Sequence, residues 1–488
     1  MQIGALIRRA ALHFGDAPCL TEGPRTLSFR EFDALTDQLG NALLDLGLKP
    51  ADRVGVLLPN GIDCLVAYYA LAKSGLVRVG LNTRETMDSH RYKLGESGAR
   101  ALIHNLSSAG LGCEIEISAE QLEELTRHGR QQACAIDRAL DEPYRLGFTG
   151  GTTGRSKAVT LTTRGELAEM SAFLMDLVPD LKQGETFLHA APISHASGAF
   201  FLPCLSRGVR SLVMSKFDPA RFLTLAATEQ ATHSFLVPTM LAMILEQDTS
   251  EDQHLNLRSI SYGASPISPN VLSRAEQRFG RIFAQTYGQA ESPMVITYLA
   301  AEDHDRVGSC GRPYSFVEVA VFDDDDQPLP PGEIGEIVCR GPQLMSHYWN
   351  RPEATEKAFR NGWLHTGDVG RMDEDGFFYI LDRKNDMLIS GGFNVYPREI
   401  EDVLQAYPGV IESAVIGLPD EKWGDRVHAV IAAREGVEGE AVLAFARTRL
   451  GGHQCPRGIE IWPELPKSAA NKILRRAVRE RIIKQTNS

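Results

Sequence analysis

RLGFTGGTTGRSKAV, residues Arg145–Val159, is the stretch on which the reading of the chain turns. A short apolar run ends in a loop of glycines, hydroxyl residues and one lysine. Gly150, Gly151 and Gly154 carry no Cβ, so the backbone can enter φ > 0 and come close to a ligand. Successive amides in such a loop form an anion-binding nest. Thr149, Thr152, Thr153 and Ser156 add hydroxyl donors, and Lys157 adds a positive charge. Composition alone leaves two readings open: a phosphate cradle, or a solvated link between two strands. A Walker A loop is excluded. It needs glycine directly before the lysine and Ser or Thr directly after it, whereas Ser156 precedes Lys157 and Ala158 follows. A P-loop ATPase or kinase is therefore not expected.

The chain has 488 residues, more than one ordinary core accommodates, so two or more domains are expected. Apolar residues make up 43% and charged residues 23%, a soluble balance. The net charge of −12 argues against non-specific nucleic-acid binding, which needs a basic surface. No apolar run of about eighteen residues is present, so no spanning helix is expected. The opening MQIGALIRRAALHF has Arg8 and Arg9 inside its apolar pattern, which reads as an amphipathic helix rather than a secretory signal. Eight cysteines are scattered without CxxC pairs, which predicts reduced thiols in a cytoplasmic protein and no zinc site.

Strand-like runs alternate with helical patterns in RVGVLLPN, LVAYYALAKSG and ALIHN, and again in SLVMS and HSFLVPTMLAMIL. This alternation predicts α/β layers with parallel sheets. The run Asp323 to Asp326 reads as an acidic turn between strands, since EF-hand spacing is absent. DEDGFFYILDR reads as a hairpin, and a boundary is expected near Asp382. After it, YPREIEDVLQAYPGV places Pro397 at a helix start, with Ile400, Val403 and Leu404 on one face. The last hundred or so residues then read as a small α+β domain.

Several distant segments agree with one family. The loop, together with SYGASPIS, TYGQAESP, GEIVCRGPQLMSHYWNRPEAT, GWLHTGDVG, LDRKNDMLISGGFNVYPREIE and LPKSAANKILRR, resembles the AMP-forming acyl-adenylate superfamily in composition and order. The resemblance spans most of the chain and is strongest to bacterial fatty-acyl or aryl-acid CoA ligases. It implies a large N-terminal domain, residues 1–382, of two α/β sheets plus a distorted β-barrel. A small mobile α+β C-terminal domain, residues 383–488, follows. It implies ATP, Mg2+ and CoA as reactants and cofactor, a small-molecule carboxylic acid as substrate, and either a monomer or a homodimer. The reaction implied is attack of the carboxylate on the α-phosphate of ATP, then displacement of AMP by the CoA thiol.

Carried over residue by residue, the resemblance gives each position a role. Thr149, Gly150, Gly151, Thr152, Thr153 and Lys157 cradle the departing pyrophosphate, although the family usually has Ser at Gly150. Glu291 coordinates Mg2+, with Ala290 replacing the usual threonine before it. Tyr287 stacks on adenine, and Gly263, Ala264 and Ser265 line the other side. Asp368 accepts from the ribose hydroxyls, and Arg383 contacts ribose or phosphate. Lys472 bridges the attacking carboxylate and the α-phosphate, where negative charge accumulates. His195 is the gate of the acyl pocket and Met294 touches the acyl group. Gly391, Gly392, Trp423 and Arg457 bind CoA, and Asn385 is the hinge. Gln454 stands where a lysine is common, so two alternatives stay open beside CoA ligation. One is an adenylating ligase that passes the acyl group to an amine or a carrier protein; the other is a non-catalytic nucleotide-binding homologue.

Overall fold

The computed structural model describes residues 2–106, 110–149, 156–248, 252–384, 386–420, 423–467 and 473–486. Its first large sheet has nine strands. Six run parallel, in the spatial order Phe283–Tyr287, Ser259–Gly263, His233–Leu236, Thr186–His189, Arg210–Val213 and Pro18–Glu22. Antiparallel strands cover both edges. The second sheet has seven strands, with Val77–Gly80 and Arg53–Leu57 paired in parallel at its centre. There Pro143–Phe148 runs parallel to Val77–Gly80 and returns antiparallel as Ala158–Thr162. The glycine-rich loop is thus a hairpin connection opening at the carboxyl end of a parallel strand.

Local chemistry sets the helices between these sheets. Ser28 and Glu31 form a reciprocal capping box at the start of helix Phe29–Asp45, with bonds of 3.1 and 2.8 Å. Helix Ile62–Lys73 is apolar nearly all round and buried accordingly. Its Lys73 is fully enclosed and paired with Asp37 at 2.8 Å and with Asp33. The first helix, Ile3–Phe14, buries Ile3, Leu6, Ile7 and Ala10 and leaves Leu12 in solvent, as its amphipathic pattern predicts.

A third, antiparallel sheet of five strands occupies the place of the expected barrel. Its first turn holds Asp323 to Asp326, where Asp323 Oδ1 caps the amides of Asp325 and Gln327 at 2.9 and 2.8 Å. Strands Trp363–Met372 and Phe378–Arg383 form the predicted hairpin. Beyond Arg383 lies a separate five-stranded sheet built around Val410–Asp420 and Gly424–Ala433. Side chains alternate across a strand, so Val415 packs with Ile400, Leu404 and Val442 on one face. Ala414 and Ile416 pack with Val478 and Ile482 on the other. This sheet is therefore sandwiched between helices and has apolar clusters of its own.

Candidate active site

In open parallel sheets, ligands bind outside the carboxyl ends of the strands. Strand Phe283–Tyr287 ends on Tyr287, whose phenol donates to Asp368 Oδ2. Gln289 donates to the same oxygen at 2.7 Å and to the Thr366 carbonyl at 2.8 Å. Arg383 Nε lies 2.6 Å from Asp368 Oδ1. Asp368 is only 3% exposed, and its own amide donates to Thr366 Oγ1 at 3.0 Å. A carboxylate offers about four acceptor positions; three protein donors leave capacity for one more hydroxyl. Burial, and next the Asp368 carboxylate, push Tyr287 well above the usual phenol range, so it stays a neutral donor.

The loop after Tyr287 leads to Glu291. Its carbonyl accepts from the Met345 amide at 2.8 Å, and Oε1 accepts from the Tyr348 phenol at 2.5 Å. Lys157 Nζ lies 4.5 Å from the centre of the Tyr348 ring. Oε2 of Glu291 has no hydrogen-bond partner among the described residues. Mg2+ is commonly bound through one or two carboxylates plus phosphate oxygens and water. One carboxylate oxygen without a donor among the described residues, with Lys157 on the ring of the same tyrosine, fits that ion. The described residues hold no cluster of three acidic, His or Cys side chains that would retain a metal without phosphate.

The neck of the glycine-rich loop is closed by its own backbone. The Thr149 amide donates to the Lys157 carbonyl at 3.0 Å, and the Lys157 amide donates to Thr149 Oγ1 at 3.1 Å. Ser156 Oγ donates to the Thr149 carbonyl, and Tyr92 donates to the Ser156 carbonyl at 2.8 Å. Gly150, Gly151, Thr152 and Thr153 lie outside the described residues, as do Asn385 and Lys472.

Two neighbouring strands end in unusual backbone. Ala264 follows Ser259–Gly263 with φ 70°, and Met294 sits seven residues beyond Tyr287 with φ 56°. L-residues rarely adopt such angles, and observed outliers of this kind cluster at functional sites. A Cβ on Gly263 would lie 2.5 Å from the Thr286 carbonyl, so glycine permits the close approach of the two strand ends. Ser265 follows directly and is partly buried.

His195 is exposed at the start of the short helix Ala196–Ala199. The turn before it is gripped by the Asn60 side chain. Asn60 Oδ1 accepts from the Ile193 amide at 2.8 Å, and Nδ2 donates to the Ala191 carbonyl at 3.0 Å. Beneath the turn, His189 contacts Ser197 Oγ at 3.0 Å and Ser211 Oγ at 3.2 Å. Burial pushes His189 down to about 4, so it is a neutral structural imidazole.

A second cluster lies on the sheet beyond Arg383. Gly391 and Gly392 both have positive φ, of 60° and 84°, in the turn of hairpin Leu388–Ser390/Phe393–Val395. The Gly391 amide donates to the Trp423 carbonyl at 2.8 Å, and the Arg457 guanidinium carbon lies 3.9 Å from the Trp423 ring centre. Gln454 Nε2 donates to Glu399 at 2.9 Å. Between the clusters, Arg475 makes paired bonds to Glu401 at 2.8 and 2.7 Å and also reaches Asp382 at 2.8 Å and Asp386 at 3.2 Å.

The structure therefore brings Tyr287, Asp368 and Arg383 together, and places Lys157 near Glu291 through Tyr348. Gln289, Tyr348, Asn60 and Arg475 are the participants that reading the sequence missed. Gln289 and Tyr348 stand inside recognisable segments, but their partners are 79 and 57 residues away. No local pattern carries such a pairing.

Comparison with known proteins agrees with this geometry. The AMP-binding enzyme family matches residues 7–349, and the AMP-binding enzyme C-terminal domain matches residues 399–472. A medium/long-chain-fatty-acid–CoA ligase of Mycobacterium tuberculosis is 37% identical, covering 98% of this chain and 90% of its own. A feruloyl-CoA synthase of Amycolatopsis is 36% identical over 97% of this chain and 98% of its own. Among solved structures, the o-succinylbenzoate CoA synthetase of Bacillus subtilis in complex with AMP superposes with TM-score 0.89 at 28% identity, covering 97% and 98% of the two chains. The amide bond synthetase McbA of Marinactinospora thermotolerans superposes with TM-score 0.85 at 27% identity, covering 98% and 99%.

Proposed function

The chain belongs to the AMP-binding enzyme family, and from that premise we propose that it is an AMP-forming acid:CoA ligase acting on fatty or aromatic carboxylic acids. The observation that carries this reading is the buried Asp368, held by Tyr287, Gln289 and Arg383 at the carboxyl end of a parallel sheet. That arrangement suits a ribose hydroxyl and an adenine ring.

In the first half-reaction a carboxylate oxygen attacks the α-phosphorus of ATP, and the bond to the bridging oxygen breaks. Acyl-adenylate and pyrophosphate result. In the second, the CoA sulfur attacks the acyl carbon, AMP leaves and the thiol proton is released. Asp368 and Arg383 hold the nucleoside while Tyr287 stacks on adenine beside Gly263, Ala264 and Ser265. Thr149, Lys157 and the loop between them take the pyrophosphate. Glu291 would hold Mg2+, which when bound offsets the charge of the phosphates. Lys472 neutralises charge growing between carboxylate and α-phosphate. His195 and Met294 border the acyl group, and Trp423 and Arg457 take the CoA nucleotide beside Gly391 and Gly392.

The division at residues 382 and 383 is part of the proposal. It is supported by the apolar clusters, four of which end by residue 380 while two draw only on residues 388–483. Asn385 lies at the junction. A second reading, transfer to an amine, is favoured by Gln454, whose neutral amide is committed to Glu399 where a lysine would attract CoA phosphate.

The test is to incubate the protein with ATP, Mg2+ and a panel of fatty and aryl acids, with and without CoA. Acid-dependent pyrophosphate with CoA thioester supports ligation to CoA. Pyrophosphate with amide but no thioester supports the second reading. No pyrophosphate across acids of both classes contradicts both.

A further inference from the structure

We propose that Tyr348 is a positioning residue for the metal–phosphate end of the site, fixing Glu291 through its phenol and Lys157 through its ring. The proposal rests on the reading of Glu291 and Lys157 given above.

The segment around Tyr348 is stitched to both partners' backbones. His347 and Tyr348 pair antiparallel with Thr160 and Val159, in the strand that begins just after Lys157. The Trp349 and Ser346 amides donate to the Ala158 and Thr160 carbonyls at 2.8 and 2.9 Å. At the other end, the Met345 amide donates to the Glu291 carbonyl at 2.8 Å. Tyr348 itself is 6% exposed, and its amide donates to Thr355 Oγ1 at 3.0 Å. The side chain thus issues from a rigid seam between the strand of Lys157 and the loop of Glu291.

What it does there follows from charge. Lys157 and Glu291 make no direct ion pair; the phenol is interposed, with Oε1 at 2.5 Å from its oxygen and Nζ at 4.5 Å from its ring centre. A direct pair would neutralise both groups before any substrate arrived. A neutral hydroxyl bonded to a carboxylate, and an aromatic face under an ammonium, hold each charge without cancelling it. One side chain sets the separation of the carboxylate for the cation and the ammonium for the phosphates.

The two halves of this role separate by mutation. Tyr348→Phe keeps the ring and removes the hydroxyl; Tyr348→Leu removes both. The probe is Mn2+ binding, read by electron paramagnetic resonance, to the full chain with α,β-methylene-ATP and no acid. Metal-free nucleotide binding is measured in parallel by calorimetry, on variants that melt like the wild type. Tyr348→Phe is expected to weaken Mn2+ binding about ten- to a hundredfold, the size of one lost hydrogen bond to a charged group, and to leave metal-free nucleotide binding within about twofold. Tyr348→Leu is expected to weaken both. Unchanged Mn2+ affinity in Tyr348→Phe, with normal wild-type binding, overturns this inference alone. A wild type that binds neither Mn2+ nor nucleotide overturns the underlying site reading with it.

Discussion

Asp368 receives three donors at once, from Tyr287, Gln289 and Arg383. Each donor comes from a different stretch of chain or a different position in one loop, so the placement of the Asp368 carboxylate is over-determined at the level of single residues. Deeper in, His189 stays neutral because burial holds it near 4. Its value in an unfolded chain is about 6.5, so the unfolded state binds the extra proton first as pH falls. The stability that neutral His189 contributes is complete above about 6.5 and is lost progressively toward 4, by up to about 3 kcal/mol. Melting followed from pH 7 to pH 5 should show this loss, and His189→Asn should flatten that part of the profile; an unaltered slope contradicts the assignment. At this scale the identities of Tyr287, Asp368 and Arg383 were legible from the motifs containing them. Gln289 was not singled out, because its partners Thr366 and Asp368 lie on another sheet.

Among elements, the strand–loop–strand unit of Pro143–Thr162 and the hairpin ending at Arg383 are the ones to which the proposed function assigns most of the chemistry. Both were readable, since apolar runs flanking a polar turn leave few alternatives. The linkage made by Arg475 was not readable. It begins the helix Arg475–Thr486 and binds Asp382 in the last strand of the third sheet, Asp386 just beyond Asn385, and Glu401 in helix Pro397–Gln405. The sequence shows only a basic tail there, because a surface arginine and a bridging one are spelled alike. Removing one partner of a mostly enclosed ionic cluster leaves the others uncompensated. Arg475→Ala should therefore lower the local opening free energy of Pro397–Gln405 by roughly 3 kcal/mol, read by amide hydrogen exchange. Arg475→Lys should rescue it only in part, since an ammonium cannot bond Glu401 through two fixed donors. Unchanged exchange in the alanine variant contradicts a bridging role.

For the whole molecule, four apolar clusters end by residue 380 and two others draw only on residues 388–483, and the proposed reaction asks one site to run two steps. The proposed division was inferred because the hairpin, the polar turn and the Pro397 helix start fall in sequence. What surrounds His195 was not legible, because the turn carrying it is shaped by Asn60, from the other large sheet, more than 130 residues earlier. If Lys472 serves only adenylation, Lys472→Ala should lose pyrophosphate release by several orders of magnitude yet still convert supplied acyl-adenylate and CoA to thioester. Equal loss of both halves contradicts that division of labour. The central claim is that the acid attacks the α-phosphorus of ATP, and it is tested most directly with a carboxylic acid labelled with 18O in both carboxyl oxygens. After turnover with ATP, Mg2+ and CoA, mass spectrometry should find one 18O in each AMP formed; label in orthophosphate, with ADP as the nucleotide product, would contradict the account.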